Sequence, residues 1–349
     1  MLCLLHKFKS FFYLCNSKVL QNFMSIEQQT EPIGPFKFIP HYKQVLWGGA
    51  QISDFKNVTL PSDNVGESWE ISALAGSESV VAEGLEAGLP ISLLIEKYGA
   101  DLVGKSVFEK FGTTFPLLVK IIDAKQDLSF QVHPDNDLAR RRHDCFGKAE
   151  MWYIIDSKPD ACLYAGLSKT TTPEEYERRV EDGTIMDIVS CHKTAPGDVF
   201  YLPSGCTHSI GAGNLLAEIQ QSSDITYRVY DYKRKDSDGK YRQLHTDLAR
   251  EAIDYNAFES KQSYDHVGQG RTKLVECPFF KTSLIEVADS LDVTNSEDSF
   301  FILICVEGAA KIVTGTVTTD LSRGETLLIP ASTKAFSIQG QGTFLSATV

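Results

Sequence analysis

The chain has 349 residues, 42% of them hydrophobic and 23% charged, with a formal net charge of −12. Such a composition suits a globular protein with one large core or two moderate ones. The acidic balance argues against nucleic acid as a partner, because backbone phosphates are bound by clustered basic residues; it leaves room for a small phosphorylated molecule, which needs only a few local cations.

Residues 1–23 differ from the rest, being aromatic and basic with Lys7, Lys9 and Lys18. The longest uncharged run there, Ser10 to Ser17, is too short to span a bilayer, and no small-residue cleavage site follows it. No membrane segment or signal peptide is expected. Translation is expected to begin at Met24, with residues 1–23 a non-native or disordered extension. The eight cysteines are scattered without a C-x-x-C pair, which fits reduced packing thiols in a cytoplasmic protein.

From Gly34 to Gly49 the pattern predicts a short strand and a turn at Trp47. Alternation over Glu67 to Ser72 predicts another strand. Leu93, Leu94, Tyr98, Leu102, Val107 and Phe111 fall at helical spacing broken near Gly99 and Gly104, so two short helices are expected within residues 91–111. Short strands follow at 117–122, 128–132, 151–155, 162–165, 198–202, 215–220 and 225–229, separated by turns rich in Gly, Pro and Asp. Thr172, Pro173 and Glu175 form a helix start with N-cap, N1 proline and capping acid, predicting a helix over 172–180. A further helix is expected near 246–254. After a polar linker at Ser263 and Tyr264, strands resume at 282–287, 300–306, 310–313, 325–329 and 335–338. Two blocks of short, evenly spaced strands predict a mainly β protein of two jelly-roll domains with a few inserted helices, residues 24–262 and 263–349. The second block has no histidine beyond His266, so any metal chemistry belongs to the first.

Gln131 and His133 lie two apart in a predicted strand and share a face. Glu150 opens a second apolar run and His208 lies in a third. Two imidazoles, a carboxylate and an amide oxygen suit Zn²⁺, Mn²⁺ or Fe²⁺, and a set without thiolate points to a catalytic rather than a structural ion. Cys206 is near enough in sequence to be a further ligand, but a complete set does not need it. Trp47, Trp69 and Trp152 are expected in the core. Lys120 and Lys125 are expected as surface charges beside Asp123 and Asp127, and Arg140, Arg141 and Arg142 as a solvated face.

The frame Gly197, Pro203, Gly205, His208 resembles the second cupin motif, and Gln131 stands where cupins usually carry a first histidine. Together with Pro134 and Asp135, the Gly147-Lys148-Ala149-Glu150 block, and the run from Glu218 to Asp224 ending in Arg228, the chain resembles the zinc-dependent mannose-6-phosphate isomerases of the shorter bacterial class. The resemblance runs from about Phe36 to the C-terminus. It implies a single zinc ion held by Gln131, His133, Glu150 and His208, with Arg228, Lys148 and Glu218 in the active site. It further implies interconversion of mannose 6-phosphate and fructose 6-phosphate through an enediol. Arg228 cannot readily lose a proton and suits charge stabilisation; the base is Lys148 or Glu218. The Lys233–Arg234 pair is a loose match to a phosphate contact. Rival readings are a cupin oxygenase using Fe²⁺ and a non-catalytic sugar-binding cupin.

Overall fold

The computed structural model describes residues 33–235 and 238–349; the expected start at Met24 and the 1–23 extension lie outside them. The chain divides into two units, Met1–Ile33 and Gly34–Val349, and the second carries everything below. No helix among the described residues is long and apolar enough to cross a membrane.

The fold is mainly β. One antiparallel sheet has seven strands in the order Lys261–Gln262, Val199–Leu202, Glu150–Ser157, Asn214–Gln221, Leu117–Ala124, His41–Gly49, Val65–Ile71. A second has five, in the order Tyr227–Tyr230, Phe130–Val132, His208–Ile210, Cys162–Leu167, Val189–Lys193. Their inner faces meet in a shared apolar layer: Ile122, Trp152, Ile154, Phe200 and Leu216 from the first touch Leu163, Ala165 and Ile210 from the second. This is the face-to-face packing of two sheets whose side chains alternate in and out. Residues 270–348 form a separate seven-stranded sheet with its own core of Phe301, Leu303, Ile312, Leu327, Phe336 and Phe344.

Helices occur at Ile91–Tyr98, Ala100–Val103 and Lys105–Phe111, three where two were expected, and at Pro173–Asp182 and Thr246–Ala252 as predicted. Thr172 caps the fourth of these by accepting from the Glu175 backbone N–H. Two further helices were not anticipated, Gln51–Lys56 and Asn136–His143. The second is started by Asp135, whose carboxylate accepts from the Leu138 N–H at 2.8 Å, and it buries only Leu138 and Ala139. Arg141 and Arg142 on it pair with Glu251, as a solvated face would. The expected strands 300–306 and 310–313 are one strand, Phe301–Thr314, with an irregularity between Cys305 and Glu307. The last strand runs through to Thr348, because its polar, glycine-containing middle pairs with that same long neighbour.

One expectation about charge is overturned. Lys120 is not a surface residue: it is 4% exposed and lies on the inner face of the seven-stranded sheet. There it pairs with Glu218, Nζ to Oε1 3.0 Å. Lys125 is exposed as expected.

Candidate metal centre

Register places the site. In the five-stranded sheet Arg228 stands opposite Gln131, and Gln131 opposite His208. Directly opposed residues of antiparallel strands point to one face, so these three side chains form a row, with His133 two residues beyond Gln131. In the facing sheet a second row runs Trp69, Lys120, Glu218, Trp152, Phe200. Glu150, two residues before Trp152, points the same way into the space between the sheets. Gly205 (φ +86°) makes the turn before His208, where a Cβ would meet the Ala252 carbonyl oxygen at 3.0 Å. Its N–H donates to the His133 carbonyl at 2.9 Å, tying the two histidine segments together.

His133, Glu150 and His208 are each 1% exposed, and one donor atom from each lies within 4.8 Å of the others. Both imidazoles are oriented by backbone carbonyls. His133 Nδ1 is 2.8 Å from the Ile225 oxygen and His208 Nδ1 is 2.9 Å from the Cys206 oxygen. A carbonyl only accepts, so each Nδ1 carries the proton and each Nε2 presents a lone pair inward. The Nε2 of His133 lies 2.8 Å from Glu150 Oε1, which sets two electron-rich atoms face to face. Only a cation reconciles them. The Lys148 ammonium does so partly, with Nζ 2.6 Å from Glu150 Oε1 and 3.1 Å from His133 Nε2. Glu150 Oε1 still has no aligned hydrogen-bond donor. Gln131 lies beside them, its amide nitrogen 3.5 Å from His208 Nε2 and its Oε1 accepting from Ser129 Oγ at 3.3 Å. His133, Glu150 and His208 thus form a donor set of two neutral imidazoles and a carboxylate that fits a divalent ion.

Electrostatics agree with that. Burial, then the neighbouring Lys148, pushes His133 from 6.5 down to about 3. Burial and Lys148 also lower His208, against the pull of Glu150. Burial acts to raise Glu150, but Lys148 and His133 bring it well below the ordinary carboxylate range. At neutral pH the ligands are thus already in their metal-binding protonation states. A stability consequence follows for the metal-free protein. The folded imidazoles take up protons less readily than those of the unfolded chain, so the unfolded state binds more protons between pH 6.5 and about 3. Stability is full above 6.5 and falls as pH drops through that window. Urea midpoints of chelator-treated protein are expected to decline from pH 6.5 to 4, less steeply in His133→Asn; identical slopes for the two proteins would refute this origin.

The other expected site residues are brought close, in different ways. Glu218 is 3% exposed; its Oε1 lies 3.0 Å from the Lys120 ammonium without an aligned hydrogen-bond donor, and its Oε2 accepts from Trp152 Nε1 at 2.8 Å. Burial, then Glu150, raises its pKa. The Trp152 indole N–H also reaches Glu150 Oε2 at 3.1 Å, so this core tryptophan links the two carboxylates. Arg228 donates from Nε to Ser129 Oγ at 3.3 Å and from Nη1 to the Gln243 carbonyl at 3.0 Å. Cys206 is buried, burial pushes its thiol up to about 12, and it lies outside the His133, Glu150 and His208 group. Trp47 and Trp69 are core residues. Sequence reasoning missed Lys120 and the double contact of Trp152, both of which depend on cross-strand register.

Two family models match the chain: "Phosphomannose isomerase type I, catalytic domain" over residues 36–170 and "Mannose-6-phosphate isomerase, cupin domain" over residues 270–349. The mannose-6-phosphate isomerase ManA of Bacillus subtilis is 36% identical over 310 residues, 88% of this chain and 96% of that protein. The mannose-6-phosphate isomerase of Streptococcus mutans is 33% identical over 299 residues, 84% of this chain and 92% of that one. Among solved structures, the Bacillus subtilis mannose 6-phosphate isomerase superposes with a TM-score of 0.82 at 32% identity, covering 90% of this chain and 99% of that chain.

Proposed function

The chain belongs to the type I mannose-6-phosphate isomerases, and on that premise we propose that Gln131, His133, Glu150 and His208 hold a zinc ion at which mannose 6-phosphate and fructose 6-phosphate are interconverted. The observation that carries this reading is the buried group of His133, Glu150 and His208, with one donor atom of each within 4.8 Å of the others and both imidazoles fixed by backbone carbonyls. A bound divalent ion supplies Lewis acidity toward the sugar's carbonyl and hydroxyl oxygens, worth several kcal/mol.

The chain's own groups do the rest. The reaction moves a proton between C1 and C2 of the open-chain sugar, and between their oxygens, by way of an enediol. Lys148 is the proton-transfer group we favour, since its amine sits beside His133 and Glu150 while Glu218 is ion-paired with Lys120 and bonded by Trp152. Glu218 fixes that pair and holds Trp152 against Glu150. Arg228 keeps its charge throughout and faces the oxygen on which negative charge grows. Burial of His133, Lys148, Glu150, His208 and Glu218 keeps water from these groups, which strengthens the interactions among them. The ligand set falls within residues 24–262, the proposed catalytic domain; residues 263–349 are the proposed non-ligating cupin domain. Cys145, Cys162, Cys191, Cys206, Cys277 and Cys305 are free thiols, which supports a cytoplasmic setting.

Fructose 6-phosphate formation from mannose 6-phosphate should stop on treatment with a strong chelator and return with zinc, under anaerobic conditions as in air. Full turnover by protein shown to contain no metal would sink the reading. A requirement for Fe²⁺ and dioxygen would favour the oxygenase instead.

A further inference from the structure

Trp152 carries a single polar hydrogen, its indole N–H, and two carboxylates claim it. The residue stands on the strand Glu150–Ser157, two positions beyond Glu150 and therefore on the same face. Cross-strand register sets it opposite Glu218 on one side and Phe200 on the other. It is 1% exposed. Its Nε1 lies 2.8 Å from Glu218 Oε2 and 3.1 Å from Glu150 Oε2. The ring meets the His208 imidazole edge-on, with centroids 5.3 Å apart and planes at 83°. One residue thus touches both Glu150 and His208 of the candidate ligand group. The contact also turns Glu150. Its Oε2 is taken by the indole, while Oε1 lies 2.8 Å from His133 Nε2 and keeps no aligned hydrogen-bond donor. The carboxylate therefore offers a cation one oxygen rather than two.

We propose that Trp152 is a positioning residue that sets the metal selectivity of the centre: its indole N–H confines Glu150 to a single ligating oxygen, and its ring edge backs His208. This rests on the divalent-ion reading above and deepens it. Groups that hold a metal ligand by its remaining polar atom fix its orientation, and metal affinity depends on them. A one-oxygen carboxylate beside two imidazoles suits Zn²⁺, which takes few ligands, whereas Mn²⁺ is at home among more oxygens. Loss of the indole N–H frees Oε2 to turn toward the ion as well. It is therefore expected to cost zinc more than manganese. A ring that only filled space would affect both ions alike.

The test reads metal affinity, without turnover. Full-length protein is stripped with a chelator, then titrated with Zn²⁺ and with Mn²⁺ in competition with a chromophoric chelator. Trp152→Phe keeps an aromatic ring and deletes the N–H. It is expected to bind zinc about 10–100-fold more weakly than wild type, with a smaller loss for manganese. Trp47→Phe trims another tryptophan of the same apolar layer and is expected to leave both affinities unchanged. Unaltered zinc affinity in folded Trp152→Phe protein overturns the assignment. So do equal losses for the two ions, or a matching zinc loss in Trp47→Phe, since either makes the effect one of packing. Should Trp152→Phe fail to fold, nitrogen–proton spectra of the three indoles in wild type decide. One signal, still present in Trp47→Phe, is expected to shift as zinc is added; indole signals that zinc does not move overturn the proposal. Wild-type protein that binds zinc yet makes no fructose 6-phosphate sinks the isomerase reading alone and leaves the Trp152 comparison standing.

Discussion

Glu150→Gln is expected to release the metal and lower kcat/KM by at least ~10³-fold, since the Lewis-acid contribution is several kcal/mol and each 1.4 kcal/mol is about tenfold. Glu150 is the sole anionic member of the proposed ligand set. Glutamine has the same shape, but it leaves the ion two neutral imidazoles and two amides. It also removes the partner of a buried ammonium, because Lys148 Nζ sits 2.6 Å from the carboxylate and is 4% exposed. Leaving one buried charge unpaired costs roughly 3–5 kcal/mol of stability. Two measurements separate the effects: metal content after gel filtration, and circular dichroism with urea titration. Retention of a full complement of zinc by folded Glu150→Gln protein would remove Glu150 from the ligand set.

Arg228→Lys is expected to lower kcat by roughly 10²–10³-fold, the usual loss when one preorganised donor to a developing oxyanion is removed, with zinc content preserved. The substitution keeps the positive charge, so the effect isolates geometry. The arginine plane is fixed at two points, Ser129 Oγ and the Gln243 carbonyl, and an ammonium cannot reproduce that fork. Steady-state kinetics together with metal analysis test it. A kcat within threefold of wild type would assign Arg228 to bulk electrostatics alone.

The parts of this centre that follow local rules were legible from residue order. Gln131 and His133 share a face because strand side chains alternate, and the Gly197, Pro203 and Gly205 frame marks the turn that delivers His208. What depends on register was not. Lys120 looked like a surface charge because its sequence neighbours include Asp123 and Asp127. Its actual partner, Glu218, is supplied by the adjacent strand. Trp152 was expected in the core and is there, but its indole N–H reaches two carboxylates that only strand pairing brings together. The helix Asn136–His143 was hidden because so few of its residues are apolar that no hydrophobic stripe reveals it; its signal is the Asp135 cap. The last strand continues past its expected end at Ile338, because Gly340 and Gly342 lie opposite Ala310 and Gly308 of the long neighbouring strand.

The carbonyl anchors on His133 and His208 bear on how the enzyme acquires its ion. Ring orientation is set by main-chain atoms of Ile225 and Cys206, so the receptor is assembled during folding. The Lys148 ammonium already sits 2.6 Å from the Glu150 carboxylate, so a divalent ion bound at the proposed site would exchange one positive charge for another.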